Sequence, residues 1–307
     1  MQEIVPAVER EALLAELTPD RLLRLTNKGD NELYVVDAHT SPNVMREVGR
    51  LREIAFRDSG GGAGKDCDID EFDTMSPPCR QLVVWDPRRR EVLGGYRYIL
   101  GPDIRMLPDG TPRIATSHMF RFSPEFLADY LPRTVELGRS FVAVDYQSSR
   151  PGAKALFTLD NLWDGLGAIT VLHPEIDYLF GKMTMNPSFG ATTRDLLLGF
   201  LYMHFPDPDR LVAPLRPLEC NALAPAVQSV FTGNFKEDYR ELTRRLRAEG
   251  KNIPPLINAY MSLSPTMRVF GTAINDEFGD VEETGIFLKI SEIYQEKKER
   301  HISSFRR

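Results

Sequence analysis

RQLVVWDPRRREVLGGYRYI, residues 80–99, sets two apolar runs on either side of one break. Asp86-Pro87 ends the first run, Arg80 to Trp85, before the second, Val92 to Ile99, begins. Proline locks φ and lacks an N–H, and aspartate hydrogen-bonds its own backbone, so the dipeptide marks a turn. The β-branched and aromatic flanks predict strands, giving a hairpin tipped by Arg88, Arg89 and Arg90. Downstream, Val135 to Val144 reads as a third strand and Ala155 to Leu172 (ALFTLDNLWDGLGAITVL) as a buried helix. A strand over Tyr178 to Met185, a helix over Thr192 to Phe205 and a helix over Phe235 to Ala248 follow. Pro254-Pro255 then interrupts before a resumed helix at Leu256 to Leu263, with final strands over Arg268 to Ala273 and Thr284 to Ile290.

Upstream, Leu13, Leu14, Leu17, Leu22 and Leu25 recur at near-helical spacing over residues 7–25, with Pro19 at a break, which predicts an amphipathic covering helix. Glu32 to Val36 (ELYVV) is a short strand, and Val44 to Phe56 a helix. Between that helix and the hairpin lie Ser59 to Gly64 (SGGGAG) and an acidic stretch to Asp73, where glycine entropy and like-charge repulsion predict a loop. The succession implies an α/β fold, a mixed sheet covered by helices. No repeat or long linker divides the chain, so the expected organisation is an N-terminal helical extension (1–30), one elaborated domain (31–290) and a charged tail (291–307).

The 307 residues are 42% hydrophobic and 27% charged, the profile of a globular chain and not of a disordered or disulfide-built one. With 38 Lys+Arg against 44 Asp+Glu the net charge is −6, which argues against nucleic acid as a main partner. Three scattered cysteines fit a reducing compartment, and the opening MQEIVPAVEREALLAEL has no secretory pattern. The longest apolar run, Leu196 to Phe205, is half the ~20 residues a bilayer crossing needs. A cytoplasmic protein is expected, with peripheral inner-membrane contact open. The tail from Ser291 carries five Lys/Arg, three Glu and Ile293, Tyr294, Ile302 and Phe305, a weak amphipathic signal beside the plainer reading of a frayed helix end.

Several motifs fail on inspection. SGGGAGKD (59–66) has Ser59 where a phosphate loop starts with Gly and Asp66 where it needs Ser/Thr. Asp66, Asp68 and Asp70 have calcium-loop spacing, but Glu71 and Pro77 occupy the required Gly and Glu positions. Cys67 and Cys79 lack zinc spacing and no His-x3-His pair occurs, so no metal is expected. His204 and Asp209 have an acyltransferase-like spacing broken by Pro206 and Pro208.

What remains is a set of charges on or beside strands: Arg52, Asp70, Asp73, Arg97, Glu136 and Arg139. The odd spacing of Glu136 and Arg139 puts them on opposite faces of their strand unless a bulge intervenes. One reading is an Arg–carboxylate lattice pinning residues 59–73 to the sheet; the other is catalysis.

Arg52-x3-Phe56, Asp70-Glu71-Phe72-Asp73, Arg97 within GGYRYI, and Glu136-Leu137-Gly138-Arg139 together resemble the acyl-homoserine-lactone synthases and, more closely, the amino-acid N-acyltransferases of lyso-glycine and lyso-ornithine lipid synthesis, sometimes labelled hemolysin-like. The closer match runs through Leu162-Trp163-Asp164-Gly165-Leu166, Asp177 to Gly181 and Ile253 to Tyr260. The resemblance implies a GNAT-like sheet and aminolysis of an acyl thioester. It implies Glu136, Arg139 and Arg97 as the catalytic set and Arg52, Phe56, Asp70, Asp73 and Trp163 as substrate-binding residues. A carboxylate in a partly desolvated site can take the proton an α-ammonium must lose, which makes Glu136 the first candidate base.

The CoA pyrophosphate loop of such enzymes is not met in VDYQSSRPGAKA (144–155), so the expected donor is an acyl-phosphopantetheine thioester on acyl carrier protein, with acyl-CoA the alternative and no tightly bound cofactor. Carrier docking would use basic side chains: Arg88, Arg89 and Arg90, or Arg240, Arg244 and Arg247 at i, i+4, i+7 on their helix. The acceptor is expected to be an amino acid, glycine first and ornithine second. A CoA-dependent acetyltransferase and a non-catalytic acyl-chain or membrane-surface binder are the rival functions.

Overall fold

A computed structural model describes residues 1–147 and 155–305 of the chain. The VDYQSSRPGAKA stretch therefore falls partly outside the described residues, as do the last two tail arginines. In chain order the principal elements are α1 (Arg10–Glu16), β1 (Leu22–Leu25), β2 (Glu32–Val36), α2 (Pro42–Asp58), α3 (Glu71–Thr74), β3 (Arg80–Asp86), β4 (Glu91–Leu100), β5 (Phe120–Phe122), β6 (Thr134–Val142) and α4 (Ala155–Leu172). Then come β7 (Tyr178–Met185), α5 (Ala191–His204), β8 (Val212–Pro214), α6 (Pro225–Gln228), α7 (Phe235–Ala248), α8 (Pro255–Met261), β9 (Arg268–Asn275) and β10 (Val281–Lys289). The chain divides into two compact units: residues 1–115, 132–177 and 295–307 form one, and 116–131 with 178–294 form the other.

The first unit is an antiparallel sheet in the order β1-β2-β3-β4-β6. β3 and β4 are buried almost end to end because helices cover both faces. On one face Val83, Trp85, Val92 and Phe141 join Val44, Met45, Val48 and Ala55 of α2 in a single core. On the other, α4 comes so close that a side chain at Gly165 would strike Leu82. A strand apolar on both sides reads as a continuous run, which is why QLVVW does not alternate.

The second unit carries the antiparallel order β7-β10-β9 and a small β5-β8 ribbon. Its core is aromatic: Phe126 contacts Phe122, Phe180, Phe270 and Phe287 with ring centroids 5.4 to 6.3 Å apart. α7 is capped by the Asn234 side chain, buries Leu242 and Leu246, and leaves Arg240, Arg244 and Arg247 outside.

Three expectations are corrected. Leu22 to Leu25 is no continuation of the first helix: α1 stops at Glu16, Pro19 opens a 3-10 turn over Pro19–Arg21, and the segment after it forms an edge strand on β2. The acidic stretch is not all loop, because Asp70 caps a one-turn helix by accepting from the Phe72 and Asp73 N–H groups while Asp73 accepts from the Asp70 N–H. The tail is not frayed: it is helical over residues 295–302, with Gln295–Lys297 running into a π-helical turn at Lys298–Ile302. It packs against α4, where His301 is buried and its Nδ1 lies 2.8 Å from Asp164 Oδ1. Asn27 donates to the Arg300 carbonyl and to Asp164, at 2.8 Å each. The glycine of W-D-G-L-G at 167 is needed there, because a Cβ would overlap the His301 carbonyl.

Gly167→Ala should therefore displace the tail. The expected result is a lower unfolding temperature, from the ~1 to 3 kcal/mol typical of overpacking, together with early proteolytic cleavage after residue 294. Unchanged melting and cleavage would show that the tail does not hold α4.

Candidate active site

Three arginines from three separate elements of the first unit converge on three aspartates of one loop. Arg52 comes from α2 and is fully buried. Its Nε donates to Asp68 Oδ2 at 2.9 Å, and its terminal nitrogens donate to Asp73 Oδ1 and Oδ2 at 3.4 and 3.3 Å. Arg97 comes from β4, donates to Asp70 Oδ1 at 2.6 Å, lies 3.3 Å from Asp73 Oδ2 and covers the Phe72 ring at 5.5 Å. Arg139 comes from β6; its Nε sits 3.0 Å from Asp68 Oδ2 without hydrogen-bond alignment, and its Nη2 donates to Asp70 Oδ2 at 3.4 Å.

The bulge that the Glu136–Arg139 spacing demanded is present. Arg97 pairs with Gly138, but Gly95 pairs with Phe141, so Arg139 and Ser140 share one position of the ladder, with Arg139 in the left-handed region at φ 49°. A non-glycine residue there is strained, and its ion pairs to Asp68 and Asp70 offset the strain. Gln81, opposite Arg97 in the hairpin register, donates to Asp73 Oδ1 at 2.9 Å.

The lattice sets its own electrostatics. Burial works to raise the Asp70 carboxyl, but Arg97 and Arg139 overcome it and hold it well below the usual carboxylate range. Asp68 is likewise lowered, with Arg52 and Arg139 outweighing its burial. Burial would lower Arg97, and Asp73 and Asp70 reverse that, so its charge is permanent. Asp73 has both oxygens occupied, Oδ1 by Gln81 and Arg52 and Oδ2 by the Asp70 N–H and Arg52.

Cys79 lies within electrostatic reach of this lattice and of Glu136. Burial pushes its thiol up to about 12, so it stays protonated at neutral pH and makes a poor nucleophile. Glu136 is itself buried at 6% exposure on β6, opposite Ile99.

Of the residues expected from sequence, Arg52, Asp70, Asp73, Arg97 and Arg139 come together, and Glu136 shares β6 with Arg139. Phe56 does not join them: it packs against the core beneath α2. Trp163 is half-buried on α4. The hairpin-tip arginines are exposed, Arg88 paired with Asp30 and Arg90 with Glu11 at 2.9 Å each, and Arg89 donating to the Tyr146 hydroxyl at 3.1 Å. Arg244 pairs with Glu241, while His204 and Asp209 part company, to Asp238 and Arg268.

Two lattice members escaped the sequence reading. Asp68 stands out in the sequence only as one acid of the 59–73 stretch, and Gln81 only as a polar residue facing Arg97 in an apolar hairpin.

A model of the acetyltransferase (GNAT) domain matches residues 51–156. The chain is 57% identical over 306 residues, 99% of its length, to a glycine N(alpha)-acyltransferase of Phocaeicola vulgatus and to one of Bacteroides thetaiotaomicron, covering 94% and 91% of those proteins. Among solved structures it is similar to FeeM, an N-acyl amino acid synthase from uncultured soil microbes, at 11% identity and a TM-score of 0.41, over 85% of this chain and 95% of that one.

The lattice predicts an acid limb in stability. Asp68 and Asp70 have folded pKa values below their unfolded ones, so their contribution is present above the ordinary ~3.9 and is lost as pH falls through the depressed values. The unfolding temperature should hold between pH 7 and 5 and fall steeply below about pH 4. Asp68→Asn leaves Arg52 short of a counter-charge, which should cost ~3 to 5 kcal/mol at neutral pH and shallow that limb. Identical acid limbs in both proteins would remove Asp68 as its source.

Proposed function

The chain belongs to the family of glycine N(alpha)-acyltransferases, and from that premise we propose that it moves a fatty acyl group, 3-hydroxylated as the motif resemblance implies, from the thioester of acyl carrier protein to the α-amine of glycine. The product is an N-acyl amino acid for membrane aminolipid synthesis. The observation that carries the choice of glycine is the charge balance of the lattice, three arginines on three aspartates. Ornithine brings a second ammonium that needs a carboxylate, and Asp68, Asp70 and Asp73 are already engaged by Arg52, Arg97 and Arg139.

The same accounting selects the base. A carboxylate held far below its usual range accepts protons poorly, which disfavours Asp70 and Asp68, and Asp73 has no oxygen to spare. Glu136 is then the carboxylate that takes the ammonium proton, directly or through water. The free amine attacks the thioester carbonyl, the carbonyl electrons move to oxygen, and their return expels the pantetheine thiolate, which takes up the proton that the attacking nitrogen sheds as it becomes the amide. Arg97 and Arg139 contribute positive field and hold the loop that shapes the acceptor pocket. Arg52 anchors that loop from below, and Trp163 remains with the substrate-binding set. The protonated Cys79 thiol favours direct transfer over an acyl-cysteine intermediate.

Carrier docking is assigned to the exposed Arg88, Arg89 and Arg90 or to Arg240, Arg244 and Arg247. Exposed ion pairs such as Arg88–Asp30 are worth little, so an acidic carrier can replace them.

Incubation with a panel of amino acids, offering long-chain acyl carrier protein or acetyl-CoA and reading products by mass, tests this proposal. N-acylglycine from the carrier thioester is expected; predominant N-acylornithine overturns the acceptor, and acetylation from acetyl-CoA overturns the donor. In the same assay Glu136→Gln should retain its fold and slow transfer by ~10² to 10⁴-fold, while Cys79→Ser should transfer at the parent rate. Equal rates for Glu136→Gln and the parent would reassign the base.

A further inference from the structure

The second unit holds a cleft of about 420 Å³. It lies where the β5-β8 ribbon meets β9, and its lining divides by chemistry. Arg121 of β5 and Arg210, just before β8, are exposed, and among the described residues neither has a carboxylate partner. Half-buried Phe122 supplies the apolar side, with Val269 and Phe270 behind it at 4% exposure each; Phe122 stacks on Phe126 and is set edge-on to Phe180. Asp207 is the acid in the lining, and it is already satisfied: Oδ2 accepts from the Leu211 N–H at 2.7 Å and Oδ1 from Arg268 at 3.2 Å.

Arg210 stands in the left-handed region at φ 52°, an uncommon conformation for a residue with a side chain, inside the turn that Asp207 closes. Strain of this kind concentrates where a side chain must be presented. Two unpaired guanidiniums beside an aromatic wall can hold an anionic head and an aliphatic chain.

We propose that this cleft binds a fatty carboxylate, its head between Arg121 and Arg210 and its chain along Phe122, Val269 and Phe270. The volume lies within the ~300 to 1,000 Å³ of ligand clefts. The inference stands on the second unit alone and does not require the acyl-transfer reading. A free fatty acid and an N-acylated amino acid share this chemistry.

Calorimetric titration of the full chain with octanoate, decanoate, N-decanoylglycine, decylamine and inorganic phosphate tests the cleft. Decanoate or N-decanoylglycine should bind, and the tighter of the two identifies the source. Affinity should rise from octanoate to decanoate, by less than the roughly fourfold per methylene of complete burial. Decylamine, with the same chain and the opposite charge, should not bind. The Arg121→Ala/Arg210→Ala double variant changes two exposed side chains, so it should melt as the parent does while losing tenfold or more in carboxylate affinity. Equal carboxylate affinity in parent and variant would place binding elsewhere and overturn the proposal. Phosphate binding as tightly as decanoate would overturn it too, since the wall would then contribute nothing.

Discussion

A guanidinium with no exposure to water, Arg52, is the constraint around which the first unit is organised. Bringing such a charge out of water costs several kcal/mol unless counter-charges and hydrogen bonds meet it. The chain meets it with Asp68 and Asp73, and each of those is shared: Asp68 with Arg139, and Asp73 with Arg97 and Gln81. No single pair is therefore separable from the others. α2, β3, β4, β6 and the acidic loop are tied together through side chains that would be unstable alone. The lattice reading and the catalytic reading of these residues do not compete, since the structure is a lattice and any chemistry proceeds beside it.

Much of this was legible in the sequence wherever short-range chemistry decides the outcome. The hairpin at 80–99, the strand at Tyr178–Met185 and the helices at Ala155–Leu172 and Phe235–Ala248 follow from turn residues and apolar spacing alone. The bulge was legible as a conditional: Glu136 and Arg139 can be used together only if the strand gains a residue. Leu22 to Leu25 was misread because leucine spacing is compatible with a helix, and only β2 supplies the hydrogen bonds that make it a strand. The ribbon of Phe120–Phe122 and Val212–Pro214 is three residues a side and leaves no periodicity to detect.

Asp68 shows a different kind of blindness. Its role depends on two guanidiniums 16 and 71 positions away in the chain, and nothing in its own neighbourhood distinguishes it from Asp66. The tail was misread for a similar reason. Its charges and apolar residues have the look of a free surface helix; the helix forms, but it is seated on α4 by a glycine at 167 that leaves room for the His301 carbonyl.

That seating also bears on how the molecule is made. The first unit is assembled from residues 1–115, 132–177 and 295–307, whereas the second is complete by residue 294. During synthesis at ~5 to 20 residues per second, the unit that starts first must wait for the other to be finished before His301 can cover α4. Until then the glycine face of α4 and the Asn27–Asp164 pair stay open to solvent. The nascent chain thus carries that face open from the synthesis of α4 until residues 295–302 follow, and in that interval closure by its own tail competes with closure by another chain.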